Sequence, residues 1–206
     1  VLNTPETPHV IFSASKALTA SLAHLLDQQG KIHIGDRVAD YIPEYAKHGK
    51  DSITIGHVLS HRGGVPNLPG EAFKLENVDD REAILEILVE AKPQSRAGSS
   101  LAYHAISGGY IIGEIVYRVT GKSIREVLAE EILDPLNFRW TNYGVARSDV
   151  GAVARSHCTG PPLLPPLSNL PAFSASAGPT PSTPSATSGS PTSSAGPIPS
   201  GPSRPR

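Results

Sequence analysis

The chain has 206 residues, with 18 Lys and Arg against 19 Asp and Glu, and a pI near 6.8. This balance gives no basic surface for nucleic acid or another polyanion. No apolar run approaches the roughly 20 residues that a transmembrane helix needs, and the length suits one domain, or one domain with a tail.

Taken in order, the first predicted element is a helix over Ser13 to Gln29, with Ala14, Leu18, Leu22, Leu25 and Leu26 on one face and Gly30 as its stop. Ser13 and Lys16 stand at i and i+3 at its start, so their side chains share a face and can meet. Lys31 to Asp36 alternates over a short stretch and turns at Gly35-Asp36. Thr54 caps a short helix that is expected to stop at Gly63-Gly64. Asp79 or Asp80 opens another, with Ile84, Ile87, Leu88 and Ala91 inward and Pro93 just beyond it. A helical segment opens at Tyr103, runs to Thr120 and ends at Gly121. Ser123 and Glu126 form a capping box for a helix to about Leu133, which Asp134-Pro135 breaks.

Composition changes near the C-terminus. No acidic residue follows Asp149, and from about Pro171 the chain is Pro, Ser, Thr, Ala and Gly, with only Arg204 and Arg206 charged. Such a segment buries too little apolar surface to offset its ordering entropy, so it is expected to be disordered with local polyproline II stretches. Native tail and out-of-phase reading of a GC-rich frame both fit this composition. The chain holds no Met and opens on Val1 without a signal-peptide pattern, which reads as an internal start. Localisation is left open, with a cytoplasmic one favoured. The single cysteine, Cys158, excludes an internal disulfide, and no base motif accompanies it as a nucleophile.

Three segments carry chemistry. Ser13-Ala14-Ser15-Lys16 is an S-x-x-K pattern, in which a nearby base or cation lets a serine hydroxyl attack an acyl carbon. Alone it reads more readily as a Ser cap followed by a solvated Lys. Ile53-Thr54-Ile55-Gly56-His57-Val58-Leu59-Ser60-His61-Arg62-Gly63-Gly64-Val65-Pro66 resembles the "I-T-x-x-x-L-L-S-H-x-S-G-L-P" segment of the serine β-lactamase-like esterases. Tyr103, followed by a helix containing Gly109-Tyr110-Ile111-Ile112-Gly113-Glu114-Ile115-Val116, resembles that family's second motif. The three matches occur in the family's order. They cover roughly residues 8 to 165 and are closest to the class C β-lactamase and carboxylesterase branch of the penicillin-binding-protein-like hydrolases.

The resemblance implies an α+β, β-lactamase/transpeptidase-like fold, of which this chain is mostly the helical lobe. It divides the chain into a partial domain over 1–165 and a tail over 166–206. It further implies a serine hydrolase forming an acyl-enzyme from a small ester or amide, most naturally of carboxylesterase type, with no cofactor. Ser13 would be the nucleophile. Lys16, desolvated beside it, would ease alkoxide formation, and Tyr103 would move protons to the leaving group and from the deacylating water. The plain alternative for Tyr103 is a packed ring with a wet hydroxyl.

Two departures qualify this reading. Ala105 stands where the family often has Asn, and His104 beside it is expected to be solvated. The family's third motif, Lys or His with Thr, Ser or Gly and then Gly on a C-terminal strand, has no convincing copy, because Pro161-Pro162 follows the look-alike His157-Cys158-Thr159-Gly160. That strand would supply the oxyanion donor that complements the Ser13 N–H, so the chain is expected to be a poor catalyst by itself.

The remaining features read plainly. His57 and His61 have i, i+4 metal spacing, but Val58 stands where a zincin has Glu, so no metal site is expected. Gly63-Gly64 lacks the Gly-Lys-Ser/Thr of a phosphate loop, and Glu71 and Glu76 read as solvated. Phe138, Trp140 and Tyr143 read as packing at the end of the helical lobe. The competing functional reading is a non-catalytic helical fragment whose Pro/Ser-rich tail engages a partner. Oligomeric state is not legible.

Overall fold

The computed structural model describes residues 4–69 and 80–156. Glu71, Glu76, Cys158, the His157–Gly160 look-alike and the tail with its domain boundary lie outside the described residues. Within them the chain is helical. A 3-10 turn at Phe12–Ala14 leads into α1 (Ser15–Gln28). Then come α2 (Val38–Tyr41), α3 (Ile55–Leu59), α4 (Arg81–Glu90), α5 (Ser107–Thr120) and α6 (Ile124–Leu128). A π-type turn at Ala129–Leu133 prolongs α6. The one extended pairing among the described residues is an antiparallel bridge between Arg37 and Thr54. No described helix is long and apolar enough to cross a membrane.

Helix α5 is the hub, touching α1, α2, α3, α4 and α6. Its sequence explains this. Ile111, Ile112, Ile115 and Val116 give it a wide buried apolar stripe, and Gly108 lets it approach α3, where a Cβ would already sit 3.5 Å from Val58 Cγ1. Gly121 ends it in the left-handed conformation at φ +72°. Helix α1 buries Thr19, Leu22, Ala23 and Leu26, the i, i+3, i+4, i+7 pattern of one face. The expected Ala14 is exposed, because the tighter 3-10 turn at Phe12–Ala14 rotates it off that face. Ile32 is buried and His33 exposed, so the alternation after α1 sets burial without making a strand.

The caps follow the sequence. Thr54 Oγ1 accepts the N–H of His57, Asp80 Oδ1 accepts those of Glu82 and Ala83, and Ser123 Oγ accepts that of Glu126. Helix α3, however, ends at Leu59 and not at Gly63-Gly64. His61 takes φ +60°, which stops the helix and starts the loop to Val65. Gly64 in that loop is obligatory: at φ +76°, a Cβ there would lie 2.4 Å from the Ser95 carbonyl oxygen.

Two buried ionic groups lock the helices together. Lys50 is fully buried and donates to the carbonyls of Val89 and Ala91 at 2.7 and 2.6 Å, satisfying the C-terminal end of α4. Glu114 on α5 is 4% exposed, takes both oxygens to Arg81 Nη1 at 2.9 and 2.8 Å, and accepts from Arg118 Nε at 2.7 Å. Arg118 also pairs with Glu44.

Candidate active site

Ser13 lies in the middle of the 3-10 turn that precedes α1. The residue before it, Phe12, has φ +47°, a strained conformation for a side-chain-bearing residue. Ser15 Oγ donates to the Phe12 carbonyl at 2.7 Å, and Ala14 N donates to the Ile11 carbonyl at 3.1 Å. The turn is thus tied down on both sides of Ser13, and the serine stays exposed at its tip.

Lys16 is the second residue of α1, and its Nζ donates to Ser13 Oγ at 3.3 Å. From 90 residues further along the chain, the Tyr103 hydroxyl donates to the same oxygen at 2.5 Å. Lys16 Nζ also stands 5.1 Å from the centroid of the Tyr103 ring. Ser13, Lys16 and Tyr103 therefore converge on one oxygen. The hydrogen bond with Ser13, and then that with the Lys16 ammonium, hold the Tyr103 phenol below its ordinary ionisation range. A phenolate there would face one hydroxyl and one cation.

Tyr103 lies in an extended segment before α5, which begins only at Ser107. What holds that segment is its neighbour. His104, expected to be solvated, is instead 1% exposed. Its Nδ1 pairs with the Ala102 carbonyl at 2.6 Å, and its Nε2 accepts the Val65 N–H at 3.2 Å. These partners assign it the neutral Nδ1–H tautomer, and burial lowers its pKa. Its backbone N–H donates to His61 Nδ1 at 3.2 Å. The chain cannot continue α5 back to Tyr103, because His104 is anchored to the 61–65 loop.

His61 completes the second layer. Its ring meets that of Tyr103 edge-on, with centroids 4.9 Å apart at 64°, and lies nearly parallel to His104 at 5.9 Å. Burial, then the nearby Lys16 charge, lowers its pKa. The metal spacing of His57 and His61 does not survive the end of α3. His57 Nδ1 accepts the Thr54 N–H at 3.2 Å, while His61 turns toward Tyr103 and His104. No group of three or more His, Cys, Asp or Glu among the described residues is disposed to hold a metal ion. Sequence reading missed both His61 and His104 as supports of Tyr103. The signal available was the "L-S-H" part of the second segment, which marks the position without its contacts.

A cleft of about 640 Å³ opens beside this cluster. Ser15, Lys16 and Thr19 of α1 and Ala105 stand on its wall, with residues of α4, α5 and α6. Tyr143, expected as packing, lines it too, with its hydroxyl hydrogen-bonded to Thr19 of α1. Phe138 is exposed, and the Arg139 guanidinium stands 4.9 Å over the Trp140 ring.

Comparison with known proteins gives a consistent set of similarities. The family model described as Beta-lactamase matches residues 1–196. The chain is 34% identical over 128 residues to the esterase/β-lactamase LipL of Mycobacterium tuberculosis (strain ATCC 25618 / H37Rv), covering 62% of this chain and 29% of that protein. A penicillin-binding-protein homologue from Caulobacter crescentus superimposes with a TM-score of 0.67 at 34% identity, over 75% of this chain and 41% of that one. A family VIII carboxylesterase does so at 0.63 and 30%, over 69% and 39%. The chain thus spans less than a third of the length of the curated relative, and about two fifths of each structure.

Proposed function

The chain belongs to the β-lactamase family, and from that premise we propose that it carries the nucleophilic half of a carboxylesterase-type serine hydrolase site. Its fold is β-lactamase/transpeptidase-like, and the described residues contribute helices to it. The observation that carries the proposal is the convergence of Lys16 Nζ and Tyr103 OH on Ser13 Oγ. Similarity to an esterase/β-lactamase and to a family VIII carboxylesterase supports an ester as the substrate. Ala105, with no amide to orient a substrate's own amide, favours an ester over a β-lactam.

On this reading Tyr103, in the ionised form that the Lys16 ammonium favours, takes the Ser13 hydroxyl proton as Oγ bonds to the ester carbonyl carbon. The tetrahedral intermediate collapses, the carbon–alkoxy bond breaks, and Tyr103 returns the proton to the departing alkoxide. A water then gives its proton to Tyr103 and bonds to the acyl carbon. The Oγ–carbon bond breaks, and Ser13 recovers the proton. One developing-charge donor is the Ser13 N–H. The sequence offers no copy of the strand motif expected to bring the second, whose lack costs on the order of 10²–10³ in rate.

The test is hydrolysis of p-nitrophenyl butyrate and of a chromogenic cephalosporin by the purified chain and by Ser13→Ala. Slow ester turnover that vanishes in the variant, with no cephalosporin turnover, supports the proposal. Ester turnover unchanged in Ser13→Ala refutes it.

A further inference from the structure

The cleft beside Lys16 has a composition and a direction of its own. Along α5 and the residue that precedes it, it is lined by Ile106, Gly109, Gly113 and Tyr117, at spacings that recur on one face of a helix. They span about 16 Å at ~1.5 Å per residue. Ile84 and Leu88 of α4 make the facing wall. The volume of about 640 Å³ suits a small organic ligand, and hydroxyl-bearing Thr19, Ser123 and Tyr143 join its charged groups in the lining. Lys16 lines it near Ala105, and Arg81, paired with Glu114 and stacked 4.2 Å over the Tyr117 ring, lines it near Tyr117.

We infer that this cleft receives the apolar acyl chain of the ester, and that Gly109 sets how bulky or long a chain it admits. The inference rests on the hydrolase reading above. The acyl group stays bonded to Ser13 through both steps, so it needs room nearby, and Lys16, whose Nζ reaches Ser13 Oγ at 3.3 Å, lines the cleft. The alcohol takes its proton from Tyr103, which is 54% exposed, and so leaves on the open side. Exposed apolar side chains at Phe12, Leu101 and Ile106 flank Ser13, Tyr103 and the cleft, as suits entry of a hydrocarbon. Gly109 is the position to test. A Cβ built on it meets nothing within 4 Å, so the space there belongs to the cleft. Glycine costs a helix interior stability relative to other residues, and neither a turn nor a close backbone approach requires it at 109.

The experiment uses alkyl fluorophosphonates with methyl, butyl, octyl and dodecyl chains, whose alkyl group stands in for the acyl chain. Labelling of Ser13 is followed by intact mass in the wild type, Gly109→Ala and Gly109→Leu, with thermal denaturation as the folding control. Each methylene buried is worth about fourfold, so the octyl probe is expected to label wild type at least about tenfold faster than the methyl probe. Gly109→Leu is expected to erase that gain while leaving methyl labelling within about twofold of wild type. Gly109→Ala should fold at least as stably and lose only part of it. Labelling that ignores chain length, or a Gly109→Leu effect equal for all probes, overturns the inference while leaving the hydrolase reading intact. Absence of Ser13 labelling by every probe removes both.

Discussion

The His61 ring stands edge-on to the Tyr103 ring, 4.9 Å between centroids, while its Nδ1 accepts the backbone N–H of His104. One side chain thus fixes both the ring that reaches Ser13 and the residue that anchors it. Small misplacements of a reacting group are costly in rate. His61→Ala is expected to slow Ser13 labelling by about tenfold and to move the rising limb of its pH profile to higher pH, as the Tyr103–Ser13 hydrogen bond loosens. His61→Phe, which keeps the ring contact, should fall between. A slower rate with an unmoved limb would make His61 merely structural.

Acid should destabilise the described domain through the same pair. His61 and His104 both have pKa values lowered by burial, so between the ordinary histidine range and the lowered values the unfolded chain binds protons that the folded chain does not. Stability is therefore full above about pH 6.5 and is lost as pH falls through the lowered values. Denaturation midpoints measured down from neutrality should drop across that window. The drop should shrink in His104→Gln, even though that variant starts less stable.

Lys16 acts on Tyr103 as well as on Ser13. The Ser13 hydrogen bond and then the Lys16 ammonium lower the Tyr103 pKa. Lys16→Met removes the second cause, so labelling of Ser13 should need a higher pH, with the limb shifted toward the ordinary phenol value. Lys16→Arg, which keeps the charge, should shift it less. A limb that stays in place in Lys16→Met would remove Tyr103 as the titrating base.

The buried Glu114 should matter for stability and not for chemistry. Glu114→Ala leaves Arg81 and Arg118 without their shared carboxylate. Breaking a buried pair costs about 3–5 kcal/mol, but both arginines reach solvent and can rehydrate. We expect a loss of about 2 kcal/mol, read from chemical denaturation, with Ser13 methyl-probe labelling little changed under native conditions.

The sequence made the local parts of this arrangement legible. Ser13 and Lys16 are three apart at a helix start, and i, i+3 geometry is enough to bring them together. The caps at Thr54, Asp80 and Ser123 are likewise local. Tyr103 could be brought to them only through the resemblance, since 90 residues separate it from Ser13. His104, His61 and Lys50 escaped because their roles depend on partners that lie some 40 residues away in the chain. Composition makes a histidine or a lysine look solvated unless such partners are known. The end of α3 was misplaced for a related reason: Gly63-Gly64 is the stronger local stop signal, yet His61 leaves the helix first, at φ +60°.

The central claim is that Ser13 is the nucleophile and that Tyr103 acts on it. A fluorophosphonate probe followed by peptide mapping tests this most directly. Ser13 should carry the label, Ser13→Ala should carry none, and Tyr103→Phe should label at least about 10²-fold more slowly while remaining folded. Label on Ser15 or Ser60 in equal amount, or labelling of Ser13 that is indifferent to Tyr103→Phe, would contradict it.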